Sequence, residues 1–368
     1  MRGLGLGIVT QLPGSRVLQW SPGVVVMPAW CPFSCASART VQTSLSTVLR
    51  GIATNQACAS MYGLQHEPQS TNYCGYSENF SPWGQLGSPI VTGGNTDPAG
   101  GTTAADVTST AISPYGGIYM DTTLVSTTVT VSGWLAGSVS PNIAQIELMT
   151  GTFAAGLRQV SPAVGWAKFQ ATYSGASADV RYVFLNDGSH AGTPADYIAA
   201  SRAKFAFIQK EALPYATSYI PTVSASAVTR AASIWTLNPG SAYFGCRIGA
   251  RMELASTAGV ACTYLCNPTG TAKLGFDASG HVSITSGNTV VSSAAYTWAV
   301  GDTMELIPQF RGQLTTRVQV RKNGVAIDSV SITNSTAPSF AATGNYIGTN
   351  QDGSNRVPAN AWPHLELL

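Results

Sequence analysis

Residues 315–332 read TTRVQVRKNGVAIDSVSI. Val318 and Val320 alternate with Arg317, Gln319 and Arg321, and the alternation resumes beyond Asn323-Gly324. A period of two belongs to a strand buried on one face. The Asn-Gly pair supplies the two positive-φ positions that a type I′ turn requires. The stretch is therefore a hairpin, with Val320 set across from Ile327.

The same period recurs outward from there. In STTVTVSGWLAG, Val129 and Val131 alternate with Thr128 and Thr130, and in ADVRYVFLND, Val180, Tyr182 and Phe184 share a face. AKFAFIQ puts Phe205 and Phe207 together. AYFGCRIGARMEL sets Phe244, Cys246, Ile248, Ala250 and Met252 on one side, with Arg247 and Arg251 on the other. Helical periodicity is almost absent. Short alternating runs separated by Gly, Asn, Pro and Asp specify antiparallel sandwiches rather than a parallel sheet.

Composition agrees. Only 10% of the 368 residues are charged while 44% are hydrophobic, and the net charge is +2. Disorder couples low hydrophobicity to high net charge, which is the opposite. A charge of +2 offers no footprint for nucleic acid, and no apolar run reaches the roughly 18 residues of a membrane span. MRGLGLGIVTQLPG is a poor secretory leader, with one Arg and an apolar run broken by Gln11 and Pro13.

Four regions follow. Residues 1–70 form an irregular N-terminal arm rich in Pro, Ser and Cys. Residues 71–215 and 234–368 are two tandem strand-rich blocks. Residues 216–233 connect them as a strap. Its surroundings, EALPYATSYIPTVSASAVTRAAS (211–233), hold Pro214 and Pro221, which favour an extended path. Tyr215, Tyr219 and Ile220 are too apolar for a free linker and are expected to pack on the first block.

Seven cysteines are present. CPFSC and CTYLC have the wrong spacing for zinc, and the four histidines are scattered. Either the thiols are buried small hydrophobes, or some pair. If AYFGCRIGARMEL and GVACTYLC are consecutive strands of one hairpin, Cys246 falls opposite position 267, or opposite Cys266 within disulfide reach if the register shifts by one, whereas Cys262 and Cys266 lie too far apart along one strand. Catalytic signatures are missing. No nucleophile elbow occurs, GLGLG lacks a surrounding strand–turn–helix, and no carboxylate pair stands out for glycan hydrolysis. Asp302 and Glu305 in GDTMEL read as a turn and an outward strand residue. TNQDGSNRVPAN (349–360) reads as a solvated loop. Trp83, Trp134, Trp166, Trp235 and Trp298 lie in or beside strand patterns and read as core. No cofactor or metal is implied.

Three motifs resemble one family in order. YGLQHEPQSTNYCGYSENFSPW (62–83) is similar to a stretch of tailed-bacteriophage virion structural proteins, with Gly63, Leu64, Glu67, Thr71, Asn72, Tyr76, Ser77, Phe80 and Trp83 matching. DPAGGTTAADV (97–107) and residues 211–233 resemble later motifs of the same proteins, and VQVRKNGVAIDSV resembles a concanavalin- or LamG-like hairpin. His66 replaces an aliphatic residue, and Tyr73-Cys74 replaces Leu-Leu. The resemblance implies lectin-like jelly rolls in a non-catalytic fibre, collar or tail-appendage subunit. Such a subunit is commonly a homotrimer, is assembled in the host cytoplasm and is released by lysis. It would be anchored to other virion proteins through residues 1–70. Recognition of a host surface glycan is the alternative, and glycan depolymerisation a third. Far-UV circular dichroism of the purified chain is expected to show strand, with less than about 10% helix.

Overall fold

A computed structural model of the chain describes residues 11–12, 15–17, 23–25, 27, 29, 31–37, 39–42, 49–52, 54–60, 63–86, 88–108, 117–120, 128–137, 143–150, 152–160, 165–174, 181–186, 202–241, 244–255, 261–349, 357 and 359–368. Among these residues there is no α-helix. The strands are antiparallel and divide between two compact units, one of residues 39–51 and 69–230, the other of residues 1–38, 52–68 and 231–368.

The unit holding residues 69–230 contains two five-stranded sheets. One runs, in spatial order, Gly84–Leu86, Gly117–Met120, Arg181–Asn186, Ile143–Thr150 and Thr152–Val160. The other runs Ile90–Asn95, Ala104–Thr108, Arg202–Glu211, Thr128–Gly137 and Ala167–Ser174. Ile118 from the first and Val129, Val131, Leu135, Phe169 and Phe205 from the second share one core with Phe80 and Trp83. Alternation in 128–137 thus does what it announced, since Val129 and Val131 are fully buried.

Phe205 and Phe207, expected together, are separated. Ser132 faces Gln209 but Trp134 faces Ala206, so a bulge interrupts the pairing. Phe207 takes φ = 54°, a conformation that non-glycine residues rarely adopt. The extra residue reverses the side chain. Phe205 stays in the inter-sheet core, whereas Phe207 joins Ala104, Trp134, Ala206 and Tyr219 in a second cluster. Val180 lies outside the described residues, as do the side chains of Tyr182 and Phe184.

In the second unit, a large sheet runs Val325–Thr333, Thr315–Lys322, Thr303–Phe310, Phe244–Met252, Ala359–Leu367, Gly63–Gln65, Ala57–Ser60 and Gly23–Val25. A seven-stranded sheet faces it, running Asn288–Ala295, His281–Ser286, Ala272–Phe276, Cys262–Cys266, Asn345–Ile347, Ile234–Leu237 and Phe33–Ser34. The chain crosses between the sheets after Met252, Ala295 and Thr333, as in a jelly roll. Their inner faces meet in one core that includes Trp235, Cys246, Ile248, Tyr264, Phe276, Val318, Val320 and Trp362.

Two expectations need correction. The Asn-Gly turn forms with both residues at positive φ, 52° and 79°. Yet Val320 faces Asp328 rather than Ile327, because the register shifts one step before the turn, where Arg321 pairs with Ala326. Ile327 is the residue left over by the bulge, and it is exposed. The N-terminal region also differs from an irregular arm. Within 1–70, Phe33–Ser34 pairs with Ile234–Leu237, and Gly63–Gln65 pairs with Ala359–Leu367. These strands complete both sheets of the second unit, and Leu64 and Cys31 are fully buried in its core.

Removing residues 1–60 should therefore strip strands from both sheets and destabilise the unit of residues 231–368. Thermal unfolding of the truncated chain is expected to show loss or strong lowering of that unit's transition, with the transition of residues 69–230 retained.

Candidate functional site

The segment YATSYIPT lies flat on the unit of residues 69–230. Pro214 just before it and Pro221 within it keep it out of regular pairing. Tyr215, Ala216, Thr217, Tyr219, Ile220 and Thr222 are all buried. The Tyr219 ring packs on Phe207 with centroids 4.7 Å apart, so the bulge supplies the surface that the strap covers.

Polar residues hold the strap down. Glu211 accepts from Thr217 N at 2.9 Å, Thr217 Oγ1 at 2.5 Å and Ser70 Oγ at 2.5 Å. Gln209 Oε1 accepts from Ile220 N at 2.6 Å. The Asn72 amide donates to Ile220 O at 2.7 Å and Ile208 O at 3.3 Å, and it accepts from Cys74 N at 2.9 Å and Lys210 N at 3.0 Å. Ser77 Oγ accepts from Thr222 N at 2.9 Å and lies 2.6 Å from the Tyr219 hydroxyl. The matched residues Asn72, Ser77, Phe80 and Trp83 are thus interior fixtures.

A cavity of about 230 Å³ opens beside this lattice, lined by Glu78, Phe80, Ser81, Gln85, Val91 and Thr103, among others. Asp97 lies behind Thr103 of this lining and binds it. Asp97 takes Ala99 N and Gly101 N on one oxygen, and Thr103 N and Oγ1 on the other, all within 3.1 Å. Glu78 is half-buried. Desolvation raises its pKa, a hydrogen bond donated by Tyr219 opposes this, and the nearby Asp97 adds to the rise. Gly93 and Gly94 border the mouth, with open space where a side chain would project.

In the second unit, Arg321, Glu305, Gly249 and His364 form one row across four strands. Glu305 points away from the core yet is fully buried, because Arg247 Nε closes on its Oε2 at 2.5 Å and His364 Nε2 lies 3.6 Å from its Oε1. A side chain at Gly249 would meet Glu305 Cγ at 2.9 Å and His364 Cβ at 3.1 Å, so only glycine lets the two close. The expected outward residue is real, but it is roofed over. Asp302 does sit in a turn, accepting from Asn323 Nδ2, Ala299 N and Lys322 Nζ, and the first of these contributes most to a pKa lowered to about 2.

Cys246 and Cys266 are not brought together. They lie in strands of different sheets, Cys246 opposite Leu367 and Cys266 opposite Lys273 and Tyr346. The hairpin that would have paired them does not form, because the chain crosses from one sheet to the other between them. All seven cysteines are buried thiols. Burial raises the pKa of Cys31 and Cys246 and pushes Cys262 up to about 12, so these three are poor nucleophiles and poor metal ligands. Among the described residues no group of three His, Cys, Asp or Glu could hold a metal ion. Most of 349–360 lies outside the described residues. Trp83, Trp134, Trp235 and Trp298 are core as expected, and Trp166 is partly buried. Sequence reasoning missed the Glu78 cavity and the roofing of Glu305, because neither has a spacing signature and both depend on which turns and strands become neighbours.

No protein-family model matches this sequence, and no curated protein matches it. Among solved structures, the xylan-binding domain CBM22-1 of Paenibacillus barcinonensis Xyn10C overlays with a TM-score of 0.29 and 14% identity, covering 40% of this chain and 94% of that one. The CBM22-1-CBM22-2 tandem of the same protein gives 0.29 and 13%, covering 82% and 90%. Mouse laminin alpha1 domains LG4-5 give 0.22 and 13%, covering 84% and 91%. Overlays this loose carry no argument about ligands.

Replacing Asn72 by Ala would remove four buried hydrogen bonds to backbone groups at about 1 kcal/mol each, so a loss of about 4 kcal/mol is expected. Tyr219→Phe, which keeps the ring on Phe207, should cost about 1 kcal/mol. Denaturant unfolding of the two variants checks the order.

Proposed function

We propose that the chain is a non-catalytic structural subunit of a bacteriophage particle, of the fibre, collar or tail-appendage kind. The observation that carries this reading is how the family-like residues are used. Asn72, Ser77, Phe80, Trp83 and the strap are buried, and their polar groups hydrogen-bond to one another or to the backbone they close. A motif used in this way serves architecture rather than turnover. Hydrolysis of a glycan needs two carboxylates about 5–10 Å apart, both available to substrate. Glu78 has Asp97 nearby, but four donors already occupy the Asp97 oxygens.

The scarcity of charge suits a subunit that buries much of its surface against copies of itself. Val325–Thr333 lies at one end of its sheet and exposes Val325 and Ile327. A strand edge of that kind favours pairing with another chain. A homotrimer, joined to other virion proteins through its N-terminal region and released by lysis, accommodates both features. Recognition of a host surface glycan by the same subunit is the second reading, and the polar cavity at Glu78 favours it.

Antibody against the purified chain is expected to label phage particles in electron micrographs, and light scattering is expected to give the mass of a trimer. Purified particles that lack the chain would overturn the structural reading.

A further inference from the structure

The geometry points to a binding site for a single neutral sugar ring in the cavity beside Glu78. This inference rests on the glycan-recognition reading and adds to it a place and a ligand class. A volume of about 230 Å³ lies below the roughly 300 Å³ at which pockets for drug-sized ligands begin, so one ring fits and an extended ligand does not. The lining matches the two faces of a pyranose. Phe80 and Val91 offer apolar surface to C–H groups, while Gln85, Ser81 and Thr103 offer amide and hydroxyl partners to a hydroxyl rim.

Glu78 decides the class. A carboxylate accepts from neighbouring hydroxyls through charge-assisted bonds, the stronger kind. No Lys, Arg or His lines the cavity, so sialic acids, sulfated sugars and phosphates would meet Glu78 without a compensating cation. Calcium would need six to eight oxygens, and the nearby Asp97 is already filled by backbone and hydroxyl donors.

The acceptor is also held in place. Thr222 N donates to Ser77 Oγ, the Ser77 hydroxyl lies 2.6 Å from that of Tyr219, and the Tyr219 hydroxyl lies close enough to Glu78 to lower its pKa. The strap that closes the sandwich thereby orients the carboxylate, with Tyr219 as a positioning residue. Gly93 and Gly94 leave the mouth open, so the rest of a glycan can continue into solvent.

Saturation-transfer NMR with the methyl glycosides of glucose, galactose, mannose and N-acetylglucosamine tests this, with N-acetylneuraminic acid and calcium chloride as contrasting probes. The full chain is expected to give a saturable signal with at least one neutral glycoside. Glu78→Gln should weaken it about tenfold. Gly93→Phe, which places a ring where there is now open space, should abolish it without lowering the melting temperature. Tyr219→Phe should move the acid limb of the binding–pH profile upward, because the donor that favours the Glu78 carboxylate is gone. Absence of a saturable neutral glycoside, binding unchanged in both Glu78→Gln and Gly93→Phe, or selective binding of N-acetylneuraminic acid or calcium would each overturn the proposal. Glu78→Gln chains that still incorporate into particles would show that the structural role stands independently of this outcome.

Discussion

The side-chain amide of Asn72 holds the first unit closed. It makes two donor and two acceptor bonds, which is all an amide can make. Those four bonds reach three segments: the end of the strand Arg202–Glu211, the turn at Cys74 and the strap at Ile220. An apolar residue of the same size would remove one hydrogen-bond partner from each of these four backbone groups. With Glu211, Gln209 and Ser77, this amide sets Tyr219 over Phe207.

The second unit solves its closure with rings. His66 lies between Trp235 and Trp362, at centroid distances of 5.9 and 5.6 Å, and Trp362 meets Tyr264 edge-on at 5.6 Å. Gly348, at φ = 74°, brings backbone against this stack, since a Cβ there would come within 2.6 Å of Trp362 and 2.8 Å of His66. The departure from an aliphatic residue at position 66 therefore fits an aromatic slot. Arg247–Glu305 is an ion pair made over a glycine rather than within the core.

The fold class was legible because period-two alternation is a local property, and Phe244–Met252 buries the face that its pattern indicates. What depended on register was not legible. One residue of slip moves a side chain to the other face, and this happened at Phe207 and beside the Asn-Gly turn. Two strands within 1–70 were missed for a related reason. Phe33–Ser34 and Gly63–Gln65 are short, and their partners lie at the far end of the sequence. The cysteine pairing failed on topology, because adjacency in sequence does not reveal a crossing between sheets. Of the candidate site, the apolar strap residues were legible, whereas the cavity arises from the meeting of a turn, a strand and a loop.

The strand Gly63–Gln65 waits for its partner until Ala359–Leu367 has been made. During synthesis the intervening unit can form first, within an interrupted neighbour, as a nested domain. Closing a loop of roughly 300 residues costs about 5 kcal/mol in chain entropy, and halving its free length recovers only about 0.6 kcal/mol. Nesting therefore adds little to final stability and instead sets an order. The inner sandwich can mature on the ribosome, while the outer one keeps Trp235 and Leu64 without their last strand until translation reaches it. A chain built this way exposes its unfinished sheet until that strand is made, and that is the interval in which a chaperone would meet it.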